Sequence, residues 1–83
     1  MSDLSERPGA GVLERARRHA DFSVHELWLA YVGLGGRGAP ADVGSYLSSR
    51  VTPEPREYNI LALALNERFD DLGLDSPVLY TAS

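Results

Sequence analysis

The longest hydrophobic pattern in the chain lies between residues 52 and 73. Within it, residues 60–65 read ILALAL, so a helix here would be apolar on every side. Thr52 and Pro53 are typical of a helix start, and Gly73 is typical of a helix end. Because a helix that is apolar all round must be covered all round, we predict a long central helix. Either the rest of the chain or a second copy would cover it.

Three shorter helical patterns precede this segment. The first runs from Gly11 to about Ala20, and the third runs from Pro40 to about Arg50. Between them, Ser23 and Glu26 have the spacing of a capping box, in which each residue bonds the backbone N–H of the other. This box places the start of a second helix near residue 24, and the glycine pair at 35–36 would end it.

Apolar residues recur at helical spacing in all four segments, and these positions should face a common core. They are Val12, Leu13, Ala16 and Ala20; Leu27, Trp28, Tyr31, Val32 and Leu34; Val43, Tyr46, Leu47 and Val51; and Tyr58, Leu61, Ala62, Leu65, Phe69 and Leu72. No segment shows the sustained alternation of a strand. We therefore predict an all-α fold, a small compact bundle of three to four helices with a long C-terminal central helix.

The length of 83 residues fits one domain with polar ends. We expect residues 1–10 to form a flexible N-terminal tail, residues 11–74 the helical domain, and residues 75–83 an extended C-terminal strap or tail. Neither a secretion signal nor a membrane-spanning run is recognisable, so we expect a cytoplasmic protein with no membrane partner.

The amino-acid composition limits the kinds of site that the chain can form. The chain has no cysteine, which excludes disulfides, thiolate zinc sites and cysteine nucleophiles. Every basic side chain is arginine, and this is typical of a GC-rich genome. The net charge is -4, and the excess of acidic residues lies in residues 51–83. This part contains six Asp and Glu residues but only two basic residues, Arg56 and Arg68. Such a chain repels nucleic acid overall, although a local basic face can overcome this.

Two short motifs resemble functional sites but lack the required context. Residues 33–38 match G-x-G-x-x-G, which indicates dinucleotide binding only after a strand, whereas a helix precedes it here. We interpret it as a helix stop and a turn; a weaker alternative is an anion held near Arg37. His25 and Glu26 begin the zinc-protease motif H-E-x-x-H, but Leu29 occupies the second ligand position. We predict no catalytic residue, no cofactor and no metal.

Charged and aromatic clusters supply candidate partner-binding residues. Most of them have ordinary structural explanations. The arginines of the first helix can form a solvated face paired with Glu14 and Asp21, the aromatic residues can anchor the core, and the aspartates can lie at a solvated helix end. Trp, Tyr and Arg also dominate protein interfaces, and an acidic helix end can attract a basic partner. The candidates are Arg15, Arg17, Arg18, Trp28, Tyr31, Arg37, Asp70 and Asp71.

Two functions fit these observations. The first is a small non-enzymatic regulatory or adaptor protein that binds a protein partner or a second copy of itself as a homodimer. The second is a helix-turn-helix DNA-binding regulator, because a short Gly-containing turn joins the second and third helices. The third helix offers only serines and Arg50 for contacts to DNA, so we place the DNA binder second.

Overall fold

The computed structural model describes residues 11–74 and Val78, and over these residues the fold is all-α with no strand. It contains four helices: α1 (Val12–His19), α2 (Val24–Gly33), α3 (Pro40–Leu47) and α4 (Pro55–Leu72). The predicted small helical bundle with a long C-terminal helix is therefore confirmed. The expected N-terminal tail, and all of the expected strap except Val78, lie outside the described residues.

Helix α4 contributes more buried residues to the core than any other helix. Both α1 and α2 pack against it, and α3 packs against α1 and α2. The buried core is drawn from all four helices, the α1–α2 connector and the C-terminal segment. It comprises Leu13, Ala20, Leu27, Tyr31, Val43, Leu47, Tyr58, Leu61, Ala62, Ala64, Leu65, Phe69 and Val78.

The apolar run at residues 60–65 is covered almost completely by its own chain. Its core-facing members are buried, and Ile60 packs partly buried against the same core. Leu63 is the one exposed member, with 37% of its area exposed, on the side of α4 that otherwise carries polar residues. The prediction of an apolar run covered by its own chain is thus right for the four buried side chains and in part for Ile60.

Local sequence signals set the ends of two helices as expected. At the start of α2, the backbone N–H of Glu26 donates to Ser23 Oγ at 3.0 Å, and the N–H of Ser23 donates to Glu26 Oε1 at 2.9 Å. Both halves of the capping box are therefore formed. At the end of α4, Gly73 adopts the left-handed conformation with φ 72°, and the N–H of Leu74 reaches the carbonyl of Phe69 at 2.8 Å.

The predicted start of α4 at Thr52 and Pro53 is wrong by two residues. Glu54 is the N-cap with extended backbone angles (φ -63°, ψ 154°), and Pro55 is the first helical residue. A proline disfavours helical angles in the residue before it, so Glu54 cannot join a helix that contains Pro55. The helix therefore begins at the second proline of the TPEP sequence.

Three residues expected in the core are exposed. Val51 is 51% exposed because α3 ends at Leu47 and the chain then turns at Ser49, whose φ of 65° is left-handed. Leu72 is 44% exposed in the last turn of α4. Val32, on α2, is 41% exposed and lies one turn from Leu29, which is also exposed.

Candidate functional site

One side of α2 presents apolar side chains to solvent. Leu29 is 52% exposed and Val32 is 41% exposed, and their spacing of three residues puts them on the same side of the helix. His25 lies one turn before Leu29 and is exposed, while Trp28 lies beside them and is partly buried. We call these four residues the α2 outer face. None of them is an Asp, Glu, Lys or Arg.

The α2 outer face follows from the composition of the helix. Its sequence, VHELWLAYVG, is apolar at most positions, yet only Leu27 and Tyr31 are fully buried. Helices α3 and α4 cover one side of it. A helix with apolar residues on more than one side leaves some of them facing water unless a further element covers them.

Trp28 is held at the edge of this face by the loop that follows α2. Its indole Nε1 donates to the carbonyl of Gly38 at 3.0 Å, and its ring centroid lies 5.8 Å from that of His25. The indole is thus fixed in one orientation, with its single polar group satisfied. Such a rigid aromatic side chain loses little conformational entropy when a partner packs against it.

Tyr31 organises the same loop from inside the core. Its side chain is fully buried; the hydroxyl donates to Glu57 Oε1 at 2.5 Å and accepts the backbone N–H of Gly38 at 2.7 Å. Burial, followed by the hydrogen bond to Glu57, raises the pKa of Tyr31. The same hydrogen bond is the main cause that lowers the pKa of Glu57. Tyr31 was predicted to contact a partner, but in this fold it has no exposed surface with which to do so.

Tyr31 packs closely against two glycines of the loop that follows α2. A Cβ atom at Gly36 would fall within 2.5 Å of three ring carbons of Tyr31, and one at Gly38 would fall 2.8 Å from its hydroxyl oxygen. Arg56 holds the other side of the loop, because it donates to the carbonyl of Gly35 at 3.0 Å and pairs with Glu57. Packing against Tyr31 therefore accounts for Gly36 and Gly38, and a left-handed φ of 102° accounts for Gly35, so these three glycines have structural roles without a nucleotide.

The arginines of α1 are largely engaged within the chain. Arg17 donates to both carboxylate oxygens of Glu14 at 2.8 Å and to the carbonyl of Phe22 at 2.6 Å. Arg18 donates to Glu14 at 2.8 Å, as its i,i+4 spacing predicts. The hydrogen bond from Arg17 is the main cause that lowers the pKa of Glu14 to about 2. Arg15 is exposed.

A shallow, open depression lies where α1 turns into α2. Its lining combines positive and negative side chains around Ser23, and Arg68 closes one side. Hydrogen bonds hold Arg68 there, because it donates to the carbonyls of Ala20 and Asp21, each at 3.1 Å. The guanidinium carbon of Arg68 lies over the Phe22 ring, 4.8 Å from its centroid. The depression therefore marks a connector held in place by arginine side chains.

The remaining predicted partner residues are exposed but spread along the chain. Arg37 lies in the loop after α2, and only its backbone N–H, at 3.4 Å from Glu57, takes part in the Tyr31 network. Asp70 and Asp71 lie in the last turn of α4. Sequence reasoning missed His25, Leu29 and Val32 as candidate partner-binding residues. The signal that would have found them is the excess of apolar residues in α2 over those that one buried side can hold.

The geometry between α2 and α3 departs from a helix-turn-helix motif. Residues 34–39 connect the two helices, which is longer than the turn of about three to four residues that the motif uses. Asp42, near the start of α3, accepts the N–H of Ala39 at 2.8 Å and places a negative charge at the end of the helix that would approach DNA in such a motif. DNA binding remains a prediction without a structural observation that favours it.

Comparison with models of known protein families, with curated proteins and with solved structures finds no match for this chain. Among the described residues, no helix is long and apolar enough to cross a membrane. The same residues contain no group of three or more His, Asp or Glu side chains placed to hold a metal ion.

Proposed function

We propose that the chain is a small non-enzymatic regulatory or adaptor module that binds another protein through the α2 outer face. The observation that carries this proposal is the pairing of Leu29 and Val32, both more than a third exposed, on one side of one helix. Adjacent exposed apolar residues next to a fixed tryptophan are typical of protein-binding surfaces.

The contrast with other exposed apolar residues supports this choice. Leu63 on α4 lies among polar neighbours, and scattered single apolar residues are normal on protein surfaces. The α2 outer face instead has four adjacent residues, none of which is Asp, Glu, Lys or Arg. A charged peptide or nucleic acid would find no complementary charge on it, whereas an apolar helix side would.

The size of the face predicts the strength of the contact. The ten residues of α2 span about 15 Å, so the face accommodates roughly one short helix of a partner. Stable interfaces bury about 800 Å² on each partner, more than one such helix side supplies. We therefore propose a weak, reversible contact with an amphipathic helix, supplied by another protein or by a second copy in a homodimer. A cytoplasmic location belongs to the same proposal.

The test replaces Leu29 and Val32 together by glutamate. Because both side chains are exposed, the melting temperature should change little. Self-association measured by sedimentation, and affinity for a partner identified by a photo-crosslinker at position 29, should each fall at least tenfold. The matched control is Leu63→Glu, which adds a charge at an exposed leucine on another helix and should leave binding unchanged.

Two results would overturn the proposal. One is unchanged affinity for the partner in the double glutamate variant. The other is tight DNA binding that weakens steeply with salt and disappears in Arg50→Ala, which would establish the DNA-binding alternative.

A further inference from the structure

Glu57 ties the loop that follows α2 to helix α4. Its carboxylate accepts the hydroxyl of Tyr31 at 2.5 Å and the backbone N–H of Arg37 at 3.4 Å, and it pairs with the guanidinium of Arg56. Only 12% of the Glu57 side chain is exposed. Donors from α2, from the loop and from α4 therefore converge on one carboxylate that has little contact with water.

The same network fixes the carbonyl that orients Trp28. The Tyr31 hydroxyl, which donates to Glu57, accepts the backbone N–H of Gly38 at 2.7 Å. The carbonyl of Gly38 in turn accepts the indole N–H of Trp28 at 3.0 Å. A change at Glu57 therefore reaches the α2 outer face through hydrogen bonds that follow one another without a gap.

The negative charge of Glu57 gives these contacts much of their strength. Hydrogen bonds to an ionised group are roughly twice as strong as those between neutral groups. The hydrogen bond from Tyr31 is the main cause that lowers the pKa of Glu57, with further lowering by Arg37 and Arg56 and an opposing effect of burial. The stabilisation by the carboxylate is therefore full above the unfolded pKa of about 4.3 and is lost as the pH falls through the lower folded value.

We propose that Glu57 makes the α2 outer face sensitive to acid: when ionised it holds the loop that orients Trp28, and when protonated it releases this loop while the four helices stay packed. The inference rests on the proposed function, because it concerns the regulation of the same face. Among the described residues, no charged side chain is buried in the core. Protonation of Glu57 therefore leaves the apolar contacts between the helices in place.

Other titratable groups near the loop have to be separated from Glu57. Asp42, on α3, accepts a backbone N–H at the far end of the same loop at 2.8 Å. Tyr46, also on α3, lies within electrostatic range of Glu57, Asp42 and Glu54, and burial raises its pKa, so it keeps its proton in acid. The ring of His25 lies 5.8 Å from the Trp28 indole. Variants of Asp42 and His25 are therefore the controls.

The experiment measures how strongly acrylamide, a neutral quencher, quenches the single tryptophan of the full-length protein as the pH falls from 7 to 3. In the parent, the quenching constant should rise about twofold below about pH 4.3, while the helical circular dichroism signal persists. Glu57→Gln has the shape of the protonated carboxyl. It should show the raised constant already at neutral pH and no further rise below about pH 5.

A second variant tests the electrostatic part of the inference. Arg56→Gln changes a side chain that is 51% exposed, so the fold should persist. The transition should remain but move to higher pH, because the carboxylate loses a cation that lowers its pKa. Asp42→Asn and His25→Asn should both keep the acid transition of the parent.

Three results would overturn the inference. The first is a parent protein whose quenching does not change with acid, and the second is an acid transition that Glu57→Gln keeps or that Asp42→Asn abolishes. The third is loss of the helical signal over the same pH range as the rise in quenching, because the release is then global unfolding. None of these measurements involves a partner, so each leaves the proposed contact at Leu29 and Val32 standing. Conversely, unchanged affinity in the double glutamate variant would remove that contact whatever Glu57 does.

Discussion

Replacing Gly36 by alanine tests whether this position needs glycine because the Tyr31 ring packs against it. The added Cβ would fall within 2.5 Å of three ring carbons of Tyr31, a separation that real Cβ atoms essentially never show. The ring cannot move away, because it is fully buried and its hydroxyl is fixed by Glu57 and Gly38. The loop must shift instead, and it carries the carbonyl that orients Trp28.

The expected cost follows from the steric conflict. Forcing an extra carbon into a packed site costs about 1–3 kcal/mol, and the backbone of Gly36 needs no left-handed angle that would add to this. We expect Gly36→Ala to lower the free energy of unfolding by about 2 kcal/mol. Gly44→Ala is the matched control, because no atom lies within 4 Å of its added Cβ. That change, inside α3, should stabilise the protein by about 0.5–1 kcal/mol.

The variant Tyr31→Phe distinguishes the steric conflict at Gly36 from the steric conflict at Gly38. At Gly38 the added Cβ meets the Tyr31 hydroxyl at 2.8 Å, so removing the hydroxyl should relieve part of the cost of Gly38→Ala. At Gly36 the conflict is with the ring, which phenylalanine keeps, so Tyr31→Phe should give no relief. Urea unfolding followed by circular dichroism measures both double-mutant cycles. A Gly36→Ala protein within 0.5 kcal/mol of the parent would refute the packing explanation.

Three further predictions concern the helices. Ser23→Ala removes the acceptor of the α2 capping box and should cost about 1 kcal/mol in urea unfolding. Leu65→Asp should abolish the cooperative thermal transition because it buries an unpaired charge, whereas Leu63→Asp, at a 37% exposed position, should melt near the parent temperature; similar melting of the two would contradict the assigned core. The pKa of Glu14 is lowered to about 2 in the folded state, below its value of about 4.3 in the unfolded chain. The ionised Glu14 therefore adds fully to the free energy of unfolding above the unfolded pKa, and this stabilisation is lost as the pH falls toward 2. Glu14→Gln should therefore flatten the decline of unfolding free energy between about pH 5 and pH 2, and an unchanged slope would show that Arg17 does not stabilise the carboxylate.

Much of the fold could be predicted because its signals are local. The capping box at Ser23 and the left-handed Gly73 concern backbone groups within a few residues, so spacing alone identifies them. The start of α4 could also have been predicted, since the proline at position 55 excludes a helical Glu54. The exposed Val51 could not, because its place depends on the turn at Ser49, and a left-handed serine has no distinct sequence signal.

The surroundings of Tyr31 depend on contacts that sequence spacing does not reveal. Its hydroxyl bonds Glu57, which lies 26 positions later in the sequence, and its ring excludes a side chain at Gly36. Neither relation has a periodic pattern. Periodicity does predict that Tyr31 faces the core, but not that it fixes the loop whose carbonyl orients Trp28. Two glycines of the loop that resembles a nucleotide site, Gly36 and Gly38, thus lie against the Tyr31 side chain.

The same principle of covering apolar helices points to a different helix once the structure is known. The sequence predicts that residues 60–65 of α4 need cover from the rest of the chain or from a second copy. The structure buries four of them within the chain, leaves Ile60 partly buried and exposes Leu63. In helix α2, by contrast, the packing of α3 and α4 leaves Leu29 and Val32 uncovered. One apolar segment is thus covered within its own chain while a shorter apolar helix is covered on one side, because coverage depends on where a helix packs as well as on its composition. For this reason we place the proposed protein contact on α2.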